Sequence, residues 1–518
     1  MLALYIDISD FMQHLLLNEI GWAPWDDQSP GTTREGRPGE MYTGFGLFIG
    51  GEWRAAASGA TAPVFSPVTE TPLGEVPVAG AADTAEALAA AAAGFTAWRA
   101  TAAFARADAL HAIADEMARR TAEAARMISR ETGKPLAQAQ REWGLSVDQF
   151  RWYAEEARRI YGRIVESRVP GGRFEVSHEP VGIAAAFTAW NFPAALVARK
   201  VAPALAAGCA VIVRPSQQTP GTAMVLVDCC RAGKLPAGAI NLVCGPTEAT
   251  YGPIMAAKSV RKVSLTGSTR VGQQMIRDAA ATLKKVSMEL GGNAPLIVYD
   301  DADLEATLDA AVATKFANAG QVCVTPDRFF VHESLHDAFV DGFVARAKAI
   351  RLGDGLDPAV GMGPLINRAR LAEIEGIVAE AERAGAKIAA GGRRAPGFNA
   401  GHFFEPTVLS EVSDEMRVMA EENFGPIAAI TRFASDEEAI ARANGSDMGL
   451  SAYAFTRSPT RARRTVAGLK AGMVGVNSFA LAAAEAPFGG TNFSGMGREG
   501  GAEGIRDFLD VKLAQVVF

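Results

Sequence analysis

Cys323 is the residue in this sequence best placed to act as a nucleophile. It follows Gly320 by three residues, at the point where a predicted helix stops. A cysteine on such a turn becomes reactive when backbone N–H groups stabilise its thiolate. A single cysteine is more often a small buried hydrophobic residue, so this segment alone leaves both interpretations open.

Glu289 and Asn191 carry the polar groups that a cysteine nucleophile would need. Glu289 lies near a strand end beside Gly291 and Gly292, and a carboxylate there can act as a general base. Asn191 lies between an apolar strand and a helix, so its amide is expected at the ligand-binding edge of a parallel sheet. There it can donate to a developing oxyanion. The alternatives are a solvated loop glutamate and an ordinary asparagine turn.

The segment from Leu265 to Gly272 is suited to binding an anion. An apolar strand leads through Gly267 and Ser268 into the start of a predicted helix, where backbone N–H groups and the helix dipole favour a pyrophosphate. The segment matches neither the GxGxxG nor the Walker A pattern. The chain also lacks the GxSxG pattern of α/β-hydrolases, which argues against that class.

These segments lie on a regular alternation of apolar runs and Ala-rich helices. Such alternation is typical of parallel βαβ units with right-handed crossovers, and therefore of a doubly wound α/β sheet. The predicted strands cover residues 182–188, 210–213, 241–243, 260–265 and 285–290, and the predicted helices between them cover 194–207, 219–232, 248–257 and 269–283.

Helices precede this unit, and a second α/β unit follows it after Pro295. The apolar tail, residues 510–518, is predicted to be a strand that pairs with another strand, for which a neighbouring subunit is a candidate. The early helices cover 85–98, 106–129 and 138–161, and 165–177 is a predicted hairpin; the second unit has helices at 303–319, 334–350, 369–384 and 436–443 and strands at 328–332, 450–456 and 473–477.

Composition excludes several classes of protein. The 518 residues are 49% apolar and 21% charged, so the chain can bury a large core and is neither disordered nor fibrous. A net charge of -7 argues against nucleic-acid binding. Five irregularly spaced cysteines without a C-x-x-C pair indicate a reducing, cytoplasmic location and no structural zinc. No run of eighteen apolar residues predicts a membrane span.

Taken together, the motifs resemble those of the aldehyde dehydrogenase superfamily from about Phe48 to the C-terminus. Within it, the chain is most similar to the succinate-semialdehyde dehydrogenase group, through AEEARRIYG at 154–162 and AEAPFGG at 484–490. The superfamily stretches, in family order, are TAWNFP at 188–193, KVAPALAAGC at 200–209, VIVRPSQQTP at 211–220, LTGSTRVG at 265–272, MELGGNAP at 288–295, NAGQVC at 318–323, EENFGP at 421–426 and PFGGTNFSGMGREGG at 487–501.

The resemblance implies a Rossmann-type cofactor domain, an α/β catalytic domain and a β oligomerisation arm. The arm joins subunits in the family, so a homodimer or homotetramer is expected. Residues 1–44 are expected to be a loosely attached N-terminal extension. The implied ranges are 45–162 and 181–291 for the NAD(P)-binding domain, 292–490 for the catalytic domain, and 163–180 and 502–518 for the arm.

The resemblance also implies oxidation of an aldehyde through a cysteine thioester, without a metal. Cys323 matches the nucleophile, and its N–H together with the Asn191 amide would hold the oxyanion. Glu289 matches the base that activates the hydrolytic water, and Lys200 matches a lysine that supports the site. The presence of Glu289 favours hydrolysis over transfer to coenzyme A. Retention of Cys323, Glu289 and Asn191 argues against a catalytically silent relative.

Several positions match the NAD(P) site of the family. Gln217 stands where a glutamate is more common. A carboxylate there would repel a 2′-phosphate, so tolerance of NADP as well as NAD is expected. The matching residues are Trp190, Arg214, Ser216, Gln217, Gly267, Ser268, Glu422 and Phe424.

The positions that would select the aldehyde depart from the pattern of the semialdehyde group. That group holds a distal carboxylate with two arginines and a loop serine. One arginine position is Ala317 here, and the loop at 479–484 has no serine. Arg158 or Arg159 is predicted to be the remaining anchor, and Phe479 to line the substrate site. A succinate-semialdehyde-like substrate is expected, with an aromatic or apolar aldehyde as the alternative.

Overall fold

The computed structural model of the chain describes residues 41–518, so most of the predicted N-terminal extension lies outside the described residues. The strands are β1 Leu47–Ile49, β2 Glu52–Arg54, β3 Thr61–Phe65, β4 Pro72–Pro77, β5 Arg163–Glu166, β6 Gly172–Pro180, β7 Ile183–Phe187, β8 Ala210–Arg214, β9 Ile240–Leu242, β10 Val260–Thr266, β11 Lys285–Glu289, β12 Ala294–Val298, β13 Pro326–His332, β14 Lys387–Ala390, β15 Thr407–Ser410, β16 Ile427–Phe433, β17 Ser451–Phe455, β18 Met473–Val476, β19 Gly495–Met496 and β20 Leu509–Val517.

Helices alternate with these strands through most of the described chain. The α-helices are α1 Ala81–Arg99, α2 Ala103–Arg119, α3 Thr121–Thr132, α4 Leu136–Ala157, α5 Ala195–Ala207, α6 Pro220–Cys229, α7 Thr247–Ala256, α8 Thr269–Ala280, α9 Leu304–Phe316, α10 His336–Ala349, α11 Arg368–Arg383, α12 Arg417–Ala420, α13 Asp436–Ala443, α14 Pro459–Gly468 and α15 Gly501–Arg506. Short 3₁₀ turns cover Cys230–Gly233, Ala317–Gly320 and Asn492–Ser494.

The larger sheet contains every strand predicted between residues 181 and 290. Its order is β19-β11-β10-β7-β8-β9-β1-β2, and the five strands from β11 to β9 run parallel. The parallel part starts at β7, moves outward through β8 and β9, and returns to β10 on the other side of β7. The strand order therefore reverses between β7 and β10, and ligands of open α/β sheets bind at such a reversal, beside the carboxyl ends of the strands.

Helix α5 is the element that follows β7 and packs on this sheet. Every residue from Ala195 to Ala207 is buried, because α2 and α4 cover one side of the helix and β7 and β8 the other. Its many alanines let the helix approach its neighbours closely. Two charged residues, Arg199 and Lys200, lie on this otherwise apolar helix and are buried with it.

The second sheet has the order β14-β15-β16-β13-β12-β17-β18 and is parallel except for β14. Its core includes the packed rings of Phe329, Phe339 and Phe343. The strands predicted at 328–332, 450–456 and 473–477 are confirmed. The sequence analysis did not predict β12, β14, β15 and β16; of these, β14 and β15 have only four residues each.

The helix predicted over 106–129 is wrong as a single element. The structure has α2 and α3, which are separated at Arg120 with φ -97° and ψ 17°. The Arg120 side chain bonds to Glu123 at 2.9 Å and to Asp228 at 2.8 Å. A contact with a distant residue thus fixes the break, which local helix periodicity does not reveal.

The predicted C-terminal strand is confirmed as β20, and it pairs within its own chain. It runs antiparallel to β6 in a three-stranded sheet of order β20-β6-β5. No helix within residues 41–518 is long and apolar enough to cross a bilayer. In the same range, no cluster of three or more His, Cys, Asp or Glu residues could hold a metal ion.

Candidate active site

Cys323 follows a turn with an uncommon backbone conformation. Helix α9 ends at Phe316, and Asn318, Ala319 and Gly320 then have φ values of 49°, 54° and 71°. Left-handed residues other than glycine are strained unless other contacts hold them. A Cβ on Gly320 would lie 2.1 Å from the carbonyl oxygen of Gly425, so only glycine fits. The predicted helix through Ala319 therefore ends three residues earlier than expected.

Side-chain amides hold this turn against the loop that follows β7. Asn191 Nδ2 donates to the carbonyl oxygen of Gln321 at 3.1 Å. Asn318 Nδ2 donates to the carbonyl oxygen of Asn191 at 3.1 Å. Because the partner of Asn191 Nδ2 is a carbonyl, the orientation of that amide is fixed, and its second N–H is available to a ligand. The structure thus brings Asn191 and the Cys323 loop together.

The other side of the Cys323 loop is also held. The carbonyl oxygen of Val324 accepts hydrogen bonds from Tyr453 Oη at 2.7 Å and Ser451 Oγ at 3.3 Å. A Cβ on Gly292 would lie 2.2 Å from the carbonyl oxygen of Cys323. Cys323 is partly exposed, whereas the other four cysteines are buried. The loop is therefore fixed on both sides of the predicted nucleophile.

Arg199 lies beside this cysteine and was missed by the sequence analysis. Its guanidinium stacks 4.1 Å from the ring centroid of Phe488, and Phe488 packs in a small apolar cluster with Cys323. Arg199 is 8% exposed, and within residues 41–518 no hydrogen bond or ion pair engages its side chain. An arginine inside a helix as apolar as α5 was the available signal.

Glu289 lies at the carboxyl end of β11, and the Lys200 side chain reaches the carboxyl end of β10. Glu289 ends β11 directly beside Thr266 of β10. Lys200 Nζ donates to Thr266 Oγ1 at 2.6 Å and to the Glu499 carboxylate. The predicted supporting lysine, on α5, therefore reaches the strand next to the one that ends at the predicted base.

The Glu289 carboxylate has the properties of a base that is free to act. Its Oε2 atom is buried and has no hydrogen-bond partner among the described residues. Burial, followed by the charge of Glu499, raises the pKa of Glu289 well above its usual value, and Lys200 acts in the opposite direction. A carboxylate with a raised pKa is a stronger base.

The charges around Cys323 set its ionisation. Burial, then Glu422 and Glu289, raise the pKa of the thiol to about 12, while Arg199 acts in the opposite direction. Burial also raises the pKa of Glu422 to about 8. The thiol is therefore protonated at neutral pH in this arrangement, and a neighbouring base is needed to form the thiolate.

Several residues predicted to bind the dinucleotide lie at the strand-order reversal. Ser268 is exposed at the start of α8, and its hydroxyl makes no capping bond. Trp190 and Phe424 meet edge to face with ring centroids 5.6 Å apart. Glu422 Oε1 accepts from the Gly292 N–H at 2.8 Å. The free N–H groups at the start of α8 are suited to a pyrophosphate.

Arg214 ends β8, and Ser216 and Gln217 follow it at the same edge of the sheet. Arg214 Nη2 and Gln217 Nε2 both donate to the carbonyl oxygen of Gly245, at 3.1 Å and 2.8 Å. Ser216 Oγ accepts from the N–H of Gln218 at 3.2 Å. The three residues therefore form one polar corner at the ends of β8 and β9.

The two predicted carboxylate anchors are engaged in other contacts. Arg158 bonds to Asp108 at 3.2 Å, and Arg159 bonds to Glu156 at 2.8 Å. Within residues 41–518, neither arginine makes a hydrogen bond or ion pair with the residues around Cys323. The structure therefore does not bring these two side chains together with the nucleophile.

Phe479 lies closer to the nucleophile. Its ring packs against Tyr453, with ring centroids 4.7 Å apart, and Tyr453 in turn bonds to the carbonyl oxygen of Val324 beside Cys323. An aromatic side chain thus lies one contact away from the Cys323 loop, where the sequence analysis expected the substrate.

Comparison with known proteins gives the family. The aldehyde dehydrogenase family model matches residues 53–514. The chain belongs to the aldehyde dehydrogenase family. It is 43% identical to the 3-sulfolactaldehyde dehydrogenase of Pseudomonas putida, over 90% of this chain and 95% of that protein. It is 41% identical to the NADP⁺-dependent succinate-semialdehyde dehydrogenase of Escherichia coli, over 90% and 96%.

Solved structures of the family share its fold. A succinate-semialdehyde dehydrogenase from Burkholderia pseudomallei matches with a TM-score of 0.91 and 42% identity, covering 94% of this chain and 100% of that one. A betaine aldehyde dehydrogenase from Staphylococcus aureus in complex with NAD⁺ matches with a TM-score of 0.90 and 33% identity, covering 92% and 96%. The predicted fold class is confirmed, and the chain is an NAD(P)-dependent aldehyde dehydrogenase.

Two substitutions should shift the reactivity of Cys323 in opposite directions. Glu422→Gln removes a negative charge and should lower the thiol pKa, so alkylation by iodoacetamide should shift to lower pH. Arg199→Gln removes a positive charge and should shift the profile to higher pH. Each unit of lowered pKa should speed alkylation roughly threefold, since lower nucleophilicity offsets part of the gain in thiolate.

The measurement is the alkylation rate of Cys323 between pH 7 and 11, followed by mass spectrometry with Cys323→Ser as the blank. Shifts of the same sign in both variants would contradict the assigned charge effects.

Proposed function

We propose that this aldehyde dehydrogenase oxidises a short aldehyde that carries a distal anionic group, and that Arg199 binds that group. The observation that carries the proposal is a buried guanidinium beside the nucleophilic cysteine, with no hydrogen-bond or ion-pair partner among the described residues. Burying a charge without a partner is costly, and a carboxylate or sulfonate would supply the missing partner through paired hydrogen bonds.

The names of the relatives support this substrate class. 3-Sulfolactaldehyde carries a sulfonate and succinate semialdehyde carries a carboxylate, each at a distance from the aldehyde. Ala317 and the serine-free loop at 479–484 offer no further polar contacts, so Arg199 would act largely alone. An aromatic or apolar aldehyde is the second candidate, favoured by the packing of Phe479 against Tyr453 and Phe455.

The proposed chemistry begins at Cys323. The Cys323 thiol gives its proton to Glu289, which passes it to solvent before the hydrolytic step. The thiolate adds to the aldehyde carbon, and the Asn191 amide and the Cys323 N–H hold the resulting oxyanion. Loss of hydride then leaves a thioester on the sulfur. Glu289 takes a proton from water, which attacks the thioester and releases the carboxylic acid and the thiolate. Lys200 pairs with Glu499 and so limits the repulsion that Glu289 feels when it is charged.

The cofactor would bind along the edge of the larger sheet. Bound NAD(P)⁺ accepts the hydride from the substrate. Gly267 and Ser268 would hold the pyrophosphate at the start of α8, where backbone N–H groups are unpaired. The division into NAD(P)-binding and catalytic domains at residue 291 belongs to the same proposal.

The remaining predicted cofactor residues would hold the two ends of the dinucleotide. The polar corner after β8 would meet the adenosine ribose, and the aromatic pair beside the Cys323 loop would position the nicotinamide end together with a carboxylate. The first group is Arg214, Ser216 and Gln217, and the second is Trp190, Phe424 and Glu422.

The three-stranded sheet would be the oligomerisation arm. Opposed residues of antiparallel strands share a face, and one face of this sheet carries exposed Val165, Val511, Leu513 and Val517. An apolar face of this kind is typical of a subunit contact. A homodimer or homotetramer would cover it.

Arg199→Gln should reduce kcat/KM for succinate semialdehyde by about 100-fold more than for hexanal or benzaldehyde, as expected on removing one partner of a buried charge pair. The smaller loss that all three aldehydes share follows from the raised pKa of the Cys323 thiol. The rate of NAD(P)H formation at 340 nm, measured with each of these aldehydes, gives the kcat/KM values. Arg158→Gln and Arg159→Gln are compared in parallel. A selective loss in either of them, with Arg199→Gln unaffected, would move the anchor to that helix. A wild-type preference for benzaldehyde would favour the second candidate.

Gln217→Glu should lower the ratio of kcat/KM with NADP⁺ to that with NAD⁺ by about tenfold, a repulsion of roughly 1.4 kcal/mol. The new carboxylate would face the 2′-phosphate. Steady-state rates with both cofactors measure the ratio, and Gln218→Glu adds the same charge at the neighbouring position as a control. An unchanged ratio in Gln217→Glu would remove this residue from the cofactor site.

Leu513→Asp should dissociate the assembly, because it places a charge in the apolar face of the arm. Light scattering after size exclusion measures the mass. Ala514→Asp, on the opposite face of β20, is the matched control and should retain the assembly. Equal dissociation by both variants would argue against this face as the contact.

A further inference from the structure

A buried ion pair contacts the loop that carries Asn191. Lys134 Nζ donates to Glu142 Oε2 at 2.6 Å and to the carbonyl oxygen of Asn191 at 2.7 Å. It also lies 4.1 Å from the ring centroid of Phe192. Both charged residues are 2% exposed. The Lys134 ammonium group therefore donates both to its ion-pair partner Glu142 and to the loop that carries Asn191.

Glu142 holds the other end of the same segment. Its Oε1 accepts from the N–H of Ala194 at 2.8 Å, and the N–H of Ala195 lies at 3.4 Å. These N–H groups are at the start of α5, where a carboxylate is favoured by the unpaired donors and the helix dipole. Because α5 carries Arg199 and Lys200, the pair contacts both the loop after β7 and the helix behind the site.

Stability alone does not account for such a pair. Removing two charges from water is expensive, and an apolar pair of similar volume is often as stable or more stable. An apolar pair, however, could neither donate to the Asn191 carbonyl nor accept from Ala194. The two charges therefore fix the position of the segment from Asn191 to Ala194.

We propose that Lys134 and Glu142 are positioning residues that set the Asn191 amide and the start of α5 for the reaction. The inference rests on the roles proposed above for Asn191 and Cys323. Lys134 and Asn318 both donate to the Asn191 carbonyl, so the backbone is held by two donors while the side-chain amide keeps one N–H for the oxyanion.

The test replaces both charges, in Lys134→Met/Glu142→Leu, so that neither is left buried alone. The kcat should fall by about 100-fold, the scale for loss of one oxyanion donor, with the KM for the aldehyde changed far less. Alkylation of Cys323 by iodoacetamide, which forms no oxyanion, should stay within about threefold. The Tm should stay close to that of the parent.

Lys284→Met is the matched control. Lys284 is also buried, and it donates to the carbonyl oxygens of Ala257 and Val260 at 2.6 Å and 2.9 Å, at the amino end of β11 and away from the site. It should lower the Tm without lowering kcat. An unchanged kcat in the double variant, an equal loss of alkylation and kcat, or failure of the double variant alone to fold would each overturn the proposal.

The variant Asn191→Ala distinguishes a failure of this proposal from a failure of the proposed oxyanion role of Asn191, on which it rests. If Asn191→Ala keeps full kcat, the oxyanion role of the amide is wrong, and the positioning role is overturned with it. If Asn191→Ala loses activity while the double variant keeps it, only the positioning role is overturned.

Discussion

The hydrogen bond from the Asn191 amide to the carbonyl oxygen of Gln321 joins loops that belong to two different sheets. Each loop follows its own element, β7 in one case and α9 in the other, and neither sheet contains a complete site. The proposed nucleophile follows a helix that packs on the second sheet, and the proposed oxyanion amide, base and arginine belong to the first. The chemistry therefore depends on how closely the two loops approach.

Close approach explains the strained turn before Cys323. Gly320 and Gly292 leave no room for a Cβ. The left-handed Asn318 is held from both ends, because its N–H donates to Gln138 Oε1 at 2.9 Å and its side chain to the Asn191 carbonyl. The backbone cost of the turn is offset by contacts across the two sheets. The contacts that join the two loops therefore also hold the strained turn in place.

The sequence predicted the elements better than their junctions. Apolar runs identified β7 and β8, because strands covered on both faces are continuously apolar. The motifs named Cys323, Glu289 and Asn191. The break at Arg120 and the left-handed conformation of Asn318 and Ala319 were not predictable, because distant partners determine both. Arg199 was missed because a helix pattern shows that a residue faces inward but not which group it meets there.

Helix α5 shows how one apolar element can serve two charged sites. Adjacent residues of a helix point about 100° apart, so Arg199 and Lys200 leave the same turn in different directions. Lys200 reaches Thr266 and Glu499 at the strand ends, whereas Arg199 reaches Phe488 beside the thiol. A small shift of α5 would move both groups at once. A carboxylate that binds the start of this helix would therefore influence, through a single contact, both the lysine near the proposed base and the arginine proposed to bind the anion.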